Sequence, residues 1–228
     1  MTRDRPDSLR PSRRSFLYAG AALVVAGVDL SAQAPPASTP AVFVPLFDGT
    51  LDGWVVENTT ANNFTVKDRI LRVEGPQGWL RSQRQYGDFA LRVEVRFLTD
   101  DADSGIFFRA PGPASNVFMR GWPANAYQVQ IRDITRNKTT NPIWFGNLYR
   151  HRVAPGETTF DSDAALAAAK PTGEWQVIEM DVVADTLTVR LNGAVVTRAA
   201  NIVNPRGHIG VQGETGALEY RMIAIREA

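Results

Sequence analysis

The sequence predicts an all-β chain folded as an antiparallel two-sheet sandwich of jelly-roll-like topology, with long loops over the concave face. Three observations carry this. About eleven short runs alternate apolar and polar residues or are β-branched and aromatic, the pattern of half-buried strands. Asp-Gly, Asn-Gly and similar turn signals separate them. The chain has no internal repeat and no regular alternation of strand and helix patterns, which argues for layered antiparallel sheets.

Residues 1–34 read as a leader rather than structure. Arg13 and Arg14 precede an apolar run from Leu17 to Val28, and Ala32-Gln33-Ala34 supplies a small-residue cleavage pattern. The paired arginines match a bacterial twin-arginine export signal, so the expected location is periplasmic or secreted. Pro35 would suit signal peptidase poorly as a first residue, so cleavage after Ala32 stays open. The apolar run is short for a bilayer, and no stable membrane span is expected once the signal is removed. Residues 35–41 are a Pro/Ala/Ser/Thr linker. Residues 42–228 form the domain.

The whole chain has 25 Lys and Arg against 24 Asp and Glu. The leader takes five Arg and three acidic residues, leaving 20 against 21 and no basic excess. Nucleic acid is therefore not an expected partner. The absence of Cys excludes disulfides, thiolate metal sites and a Cys nucleophile. Twin-arginine export carries folded proteins, sometimes after a cofactor is inserted, which weakly points to a divalent metal. No His-x-His or His-x-x-x-His spacing offers a local site, so a metal would be assembled from distant residues.

Within the domain, two Asp-Gly turns at Asp48-Gly49 and Asp52-Gly53 bracket the approach to the first strand, and 64–66 and 70–73 read as a hairpin. Gly78 to Ser82 is a short strand. Phe89, Leu91, Val93, Val95 and Phe97 alternate with Ala90, Arg92, Glu94 and Arg96 as a strand with one face in the core. Two long excursions, 111–125 and 134–173, are too rich in aromatic residues for disorder, and loops of that length are commonly functional. Asp161 to Lys170 carries a helix pattern ended by Pro171. Strands follow at 175–183, 186–191, 194–197, 208–212 and 218–225, with Asn192-Gly193 as a hairpin turn.

The rest is organised around Ala126 to Asp133. Tyr127, Val129 and Ile131 share one face, and Gln128, Gln130 and Arg132 the other. Amides offer a donor and an acceptor together, which suits a ligand made of hydroxyl groups such as a sugar. A solvated outer face is the plainer alternative. Ser104 to Arg109 is a second such strand. Gly105 inside it allows a close approach to the backbone, and alternation puts Phe107 and Arg109 on the same face. Arg109 suits a carboxylate or a carbonyl gaining negative charge, or else pairs with a structural Asp.

Six motifs then recur together in one family: Leu46-Phe47-Asp48-Gly49 with Gly53-Trp54; Ser104 to Arg109; Gln130-Ile131-x-Asp133; Gly173-Glu174-Trp175; Leu191-Asn192-Gly193; and Gly207 to Glu214 followed by Glu219-Tyr220-Arg221. From Val42 to Glu227 the chain resembles the 3-keto-disaccharide hydrolase domain family, a concanavalin A-like sandwich. The resemblance implies action on glycosides whose sugar carries a ketone at C3. The ketone acidifies the C2 proton; its removal gives an enolate that expels the aglycone, and water then adds back. Such a site needs a base, a donor at the enolate oxygen and an acid for the leaving group. In those terms Arg109 is the electrophilic partner. Asp133, Glu214, His151 and His208 compete as base, acid or metal ligand. Gln128, Gln130 and Gln212 hold substrate hydroxyls, and Trp144 and Tyr149 stack on the sugar. Family members often carry Glu where this chain has Gln128, so Gln128 is either a lost ionisable group or a neutral hydrogen-bonding replacement. Gln176 stands where Asn is usual. The main rival is a non-catalytic carbohydrate-binding module on the same sandwich.

The leader generates one test. Replacing Arg13 and Arg14 with Lys should leave the precursor in the cytoplasm, read by fractionation and immunoblot; normal export of that variant would refute the twin-arginine route.

Overall fold

The computed structural model describes residues 42–112, 121–132 and 145–228. The leader and linker lie outside the described residues, as do Asp133 and Trp144. Among the described residues there are β1 (Val44–Phe47), β2 (Trp54–Glu57), β3 (Phe64–Lys67), β4 (Ile70–Glu74), β5 (Gly78–Tyr86), β6 (Phe89–Phe97), β7 (Asp103–Ala110) and β8 (Ala126–Arg132). After these come β9 (Leu148–His151), β10 (Thr158–Phe160), α1 (Ser162–Ala168), β11 (Gln176–Val183), β12 (Thr186–Leu191), β13 (Ala194–Ala199), β14 (Gly207–Gly213) and β15 (Ala217–Glu227).

The strands form two antiparallel sheets, as the alternation predicts. The larger runs β10-β13-β12-β11-β6-β15-β4-β3, with β1 beside β15; the smaller runs β2-β5-β14-β7-β8-β9. The core between them takes Phe89, Leu91, Val93, Val95 and Phe97 from β6 and Tyr127, Val129 and Ile131 from β8. Each such side chain, fully buried, contributes on the order of 1.5–3 kcal/mol. Arg92 and Arg96 stay on the outer face of β6, where Arg92 pairs with Glu179 at 2.8 Å and Arg96 with Glu219 at 2.6 Å. Ser104 ties the sheets together: its hydroxyl donates to the Gln212 carbonyl at 2.6 Å and lies 2.8 Å from the Tyr220 hydroxyl on β15.

The described part of the second long excursion, 145–173, holds strands as well as the expected helix. It contains β9 and β10, which carry no long alternation of their own and are fixed by their partners β8 and β13. The helix is shorter than its pattern. Asp161 caps it by accepting from the Ala164 amide at 2.9 Å, and Ala169 is already extended. Gln176 holds the segment after the helix to the sheet, accepting from the Lys170 amide and from Asn192 and donating to the Lys170 carbonyl. Phe145 turns into the core edge-on to Phe97.

Candidate functional site

β7 and β8 pair in the register Gly105↔Gln130 and Phe107↔Gln128. Because β8 sends Tyr127, Val129 and Ile131 inward, Gln128 and Gln130 stand on the face turned away from the larger sheet. Gly105 is required there: a Cβ would lie 2.4 Å from the Gln128 side-chain nitrogen. The space that glycine leaves is filled by the Gln128 amide. The same face carries a small apolar cluster of Trp79, Phe107, Ala110, Trp122 and Ala126. Trp122 is drawn across the sheet by its indole N–H, which donates to the Gly213 carbonyl at 3.2 Å.

Beside this cluster is a pocket of about 390 Å³ lined by Asp103, Trp122, Gln128, Gln130, Arg132, Tyr149, Arg150, His151, Gln212 and Glu214. One hydrogen-bond chain runs through its wall. Gln128 Nε2 donates to Gln130 Oε1 at 2.5 Å and to Gln212 Oε1 at 2.9 Å. Gln212 Nε2 donates to Glu214 at 3.0 Å, and Gln130 Nε2 donates to Asp103. Arg132 Nε lies 3.6 Å from the other Asp103 oxygen. The two carboxylates fix the direction of the whole chain. Ionised, they only accept, so each must face an NH₂ group. The carbonyl ends of Gln130 and Gln212 must then accept from Gln128. That leaves Gln128 Oε1 as an acceptor, and His151 Nε2, 2.7 Å away, carries the proton it receives.

His151 sits among aromatic rings, edge-on to Phe107 and Trp122 and stacked with Tyr149. Burial away from water lowers its pKa to about 4, so the ring is neutral at pH 7. Burial raises the Tyr149 phenol, helped by Asp103, so it keeps its proton and can donate. The pocket therefore brings together amide and guanidinium donors, two carboxylates and two aromatic surfaces, a set suited to a polyhydroxylated ring.

Six of the residues nominated from sequence line this pocket: Gln128, Gln130, Gln212, Tyr149, His151 and Glu214. Gln128 is not placed to hold a substrate hydroxyl, because its oxygen and both amide hydrogens are already used inside the wall. Arg109 lies elsewhere. β7 spends three steps, Phe107 to Ala110, where β14 spends two, Gly210 to His208. At this bulge Arg109 adopts φ +45° and the period-two alternation breaks. Its side chain is 1 % exposed, donating to the carbonyls of Gly87, Ala184 and Asn204 and pairing with Asp88 at 2.7 Å. Gly207 is what allows the crossing, since a Cβ there would meet the Arg109 backbone at 2.2 Å.

His208 is on the same strand as Gln212 but four residues away, roughly 13 Å along it. Its Nδ1 donates to the Ser82 carbonyl at 2.8 Å, its Nε2 lies 3.3 Å from Gln85, and burial and then Arg81 lower its pKa. It does not line the pocket. Asp133 and Trp144 fall outside the described residues. Sequence reasoning missed Asp103 and Trp122. Counting back two from Gly105 would have placed Asp103 on the ligand face; Trp122 offered only its position in a long excursion. Among the described residues, no three His, Asp or Glu side chains are grouped to hold a metal ion. A second pocket, of about 430 Å³, lies over β1 and β15 on the other sheet, but two of its three arginines, Arg92 and Arg221, are paired with Glu179 and Glu94.

Comparison with known proteins places this geometry. The family profile of the 3-keto-alpha-glucoside-1,2-lyase-like domain matches residues 42–226. No curated protein matches the chain. Among solved structures, a Parabacteroides distasonis protein provisionally described as a glycosyl hydrolase is similar at 19 % identity and TM-score 0.64, covering 82 % of this chain and 100 % of its own. A Bacillus subtilis protein with a galectin-like fold is similar at 11 % identity and TM-score 0.53, covering 78 % and 90 %. The VIP36 exoplasmic/lumenal domain, bound to Ca²⁺ and Man3GlcNAc, is similar at 9 % identity and TM-score 0.54, covering 81 % and 87 %. At these identities the structures establish a shared sandwich fold.

Two outcomes follow from the side chains. Arg109→Met should lower unfolding free energy by at least about 3 kcal/mol in urea titration, because several buried carbonyls lose their donor at about 1–3 kcal/mol each; a variant as stable as wild type would contradict the structural role. His151 has a folded pKa below its unfolded value, so its contribution is present above about pH 6.5 and is lost as pH falls toward 4. That loss should amount to about 3 kcal/mol between urea titrations at pH 7 and pH 4. His151→Gln, which can still donate to Gln128, should flatten the slope; an unchanged slope would contradict the burial of a neutral ring.

Proposed function

The chain belongs to the family of 3-keto-alpha-glucoside-1,2-lyase-like domains, and from that membership and the chemistry of its pocket we propose that it is an exported enzyme cleaving glycosides whose sugar carries a C3 ketone. The observation that carries this reading is one wall holding two carboxylates, Asp103 and Glu214, beside the donors of Arg132, Gln130 and Gln212. A carbohydrate-active sandwich accounts for the fold; paired acceptors and donors suit proton transfer next to a carbonyl.

Glu214 is the base in this scheme. Asp103 is engaged by both the Gln130 amide and the Arg132 guanidinium, which assigns it to holding the wall. Glu214 removes the C2 proton, and the electron pair moves toward the C3 oxygen. Arg132 takes over the electrostatic role that the sequence suggested for Arg109. When the enolate collapses, the C1–O bond breaks with its pair on the aglycone oxygen, which takes a proton; Tyr149, protonated at the pocket mouth, is the acid. Water then adds at C1 and a proton returns to C2, so the net change is hydrolysis. Tyr149 and Trp122 offer ring surfaces for the sugar. No step is routed through a metal.

Cleavage of a 3-keto glycoside and of its unoxidised parent should be compared for wild type, Glu214→Gln and Arg132→Met. The wild type should act on the keto sugar alone. Each variant should lose about a hundredfold or more in kcat, the usual scale for a base or an oxyanion donor. Full activity in Glu214→Gln would remove Glu214 from the mechanism. Equal action on both sugars would point to an ordinary glycosidase.

A further inference from the structure

Gln130 and Gln212 have one feature that holding the wall together does not require. Each spends its carbonyl oxygen on Gln128 and one N–H on a carboxylate. Each keeps a second N–H that no described residue accepts. Both side chains are buried against the sheet and both line the pocket. A buried amide hydrogen without a partner is unfavourable unless an incoming acceptor completes it. Two such hydrogens in the lining of one pocket, both set by the same residue, are donors open to an oxygen of a bound ligand.

Resting on the 3-keto glycoside reading of this pocket, we propose that Gln130 and Gln212 are the donor pair that receives the C3 oxygen as it becomes an enolate, and that Gln128 is the positioning residue that aims them. The step balances without a further reagent. The C2–H bond breaks, its proton goes to Glu214, and its electron pair forms the C2–C3 π bond while the carbonyl π pair moves onto the C3 oxygen. On collapse that pair reforms the carbonyl, the C2–C3 π pair becomes C1=C2, and the C1–O pair leaves with the aglycone. Charge on the C3 oxygen exists only during this sequence, so the donor pair acts on turnover more than on binding.

The role of Gln128 is one of polarity. Its two N–H groups hold the carbonyl ends of both neighbours, which keeps those oxygens away from the developing negative charge. A carboxylate at position 128 could only accept. It would draw both NH₂ groups toward itself and turn both carbonyl oxygens toward the pocket and its carboxylates. The amide at this position is thus a requirement of this wall, rather than a weakened acid.

The test is steady-state cleavage of a 3-keto glycoside by wild type, Gln128→Glu and Gln212→Met, with binding of the unoxidised parent measured by calorimetry. Gln128→Glu should lose about a hundredfold in kcat while KM and parent affinity stay within about threefold. Gln212→Met, which removes one donor without adding charge, should show the same split, and it carries the test if Gln128→Glu fails to fold. A Gln128→Glu enzyme with undiminished or raised kcat would overturn the proposal, as would a parallel loss of parent binding in both variants. Wild type that cleaves the keto sugar while both variants match it leaves the proposed function standing and removes the donor pair alone. Wild type that cleaves no keto sugar overturns both.

Discussion

Three glutamine amides strung between two carboxylates are the constraint on which this site depends. Asp103 and Glu214 stand at the ends and can only accept, so the orientation of every amide between them is decided. Reversing any one member would place oxygen against oxygen at a buried position, where an unmet polar group is expensive. The chain reaches His151 through Gln128 and sets its tautomer. Gly105 is the backbone condition for the whole arrangement, because no other residue leaves space for the Gln128 side chain.

The sandwich serves this network in a specific way. β7, β8 and β14 lie side by side in the smaller sheet, so Asp103, Gln128, Gln130 and Gln212 come from three adjacent strands. Their other faces carry Ile106, Val129, Ile131 and Val211 into the core. The polar wall is thus the outer side of strands whose inner side is buried in the core. The cluster around Trp79, Phe107 and Trp122 packs on the same face, and Trp122 also lines the pocket.

Much of this was legible in the sequence, for a simple reason: side chains in an uninterrupted strand alternate. Tyr127, Val129 and Ile131 went inward and Gln128 and Gln130 outward, as the pattern requires. Alternation failed at Arg109, where a bulge inserts one residue. A bulge depends on the partner strand, and nothing local to Ser104–Arg109 announces it. His208 shows a different limit: it shares β14 with Gln212, but its distance along the strand puts it outside the pocket lining. Asp103 opens its strand, next to acidic residues 100 and 101, so the alternation that marks Gln128 and Gln130 has no preceding residues to mark it. The strands β9 and β10 are short and owe their conformation to their partners, so local propensity could not reveal them. The direction of the amide chain needed the register of three strands, which no single stretch contains.

The central claim is that this wall handles a proton next to a ketone. The most direct measurement is hydrogen exchange at C2 of a 3-keto glycoside in D₂O, followed by NMR with wild-type protein, with and without an added divalent metal. Exchange reports proton abstraction even where cleavage is slow. Deuterium should enter at C2 before or together with release of the aglycone, and the unoxidised parent should stay unlabelled. A sugar that binds in the pocket with neither exchange nor cleavage under any of these conditions would contradict the account and leave a carbohydrate-binding module.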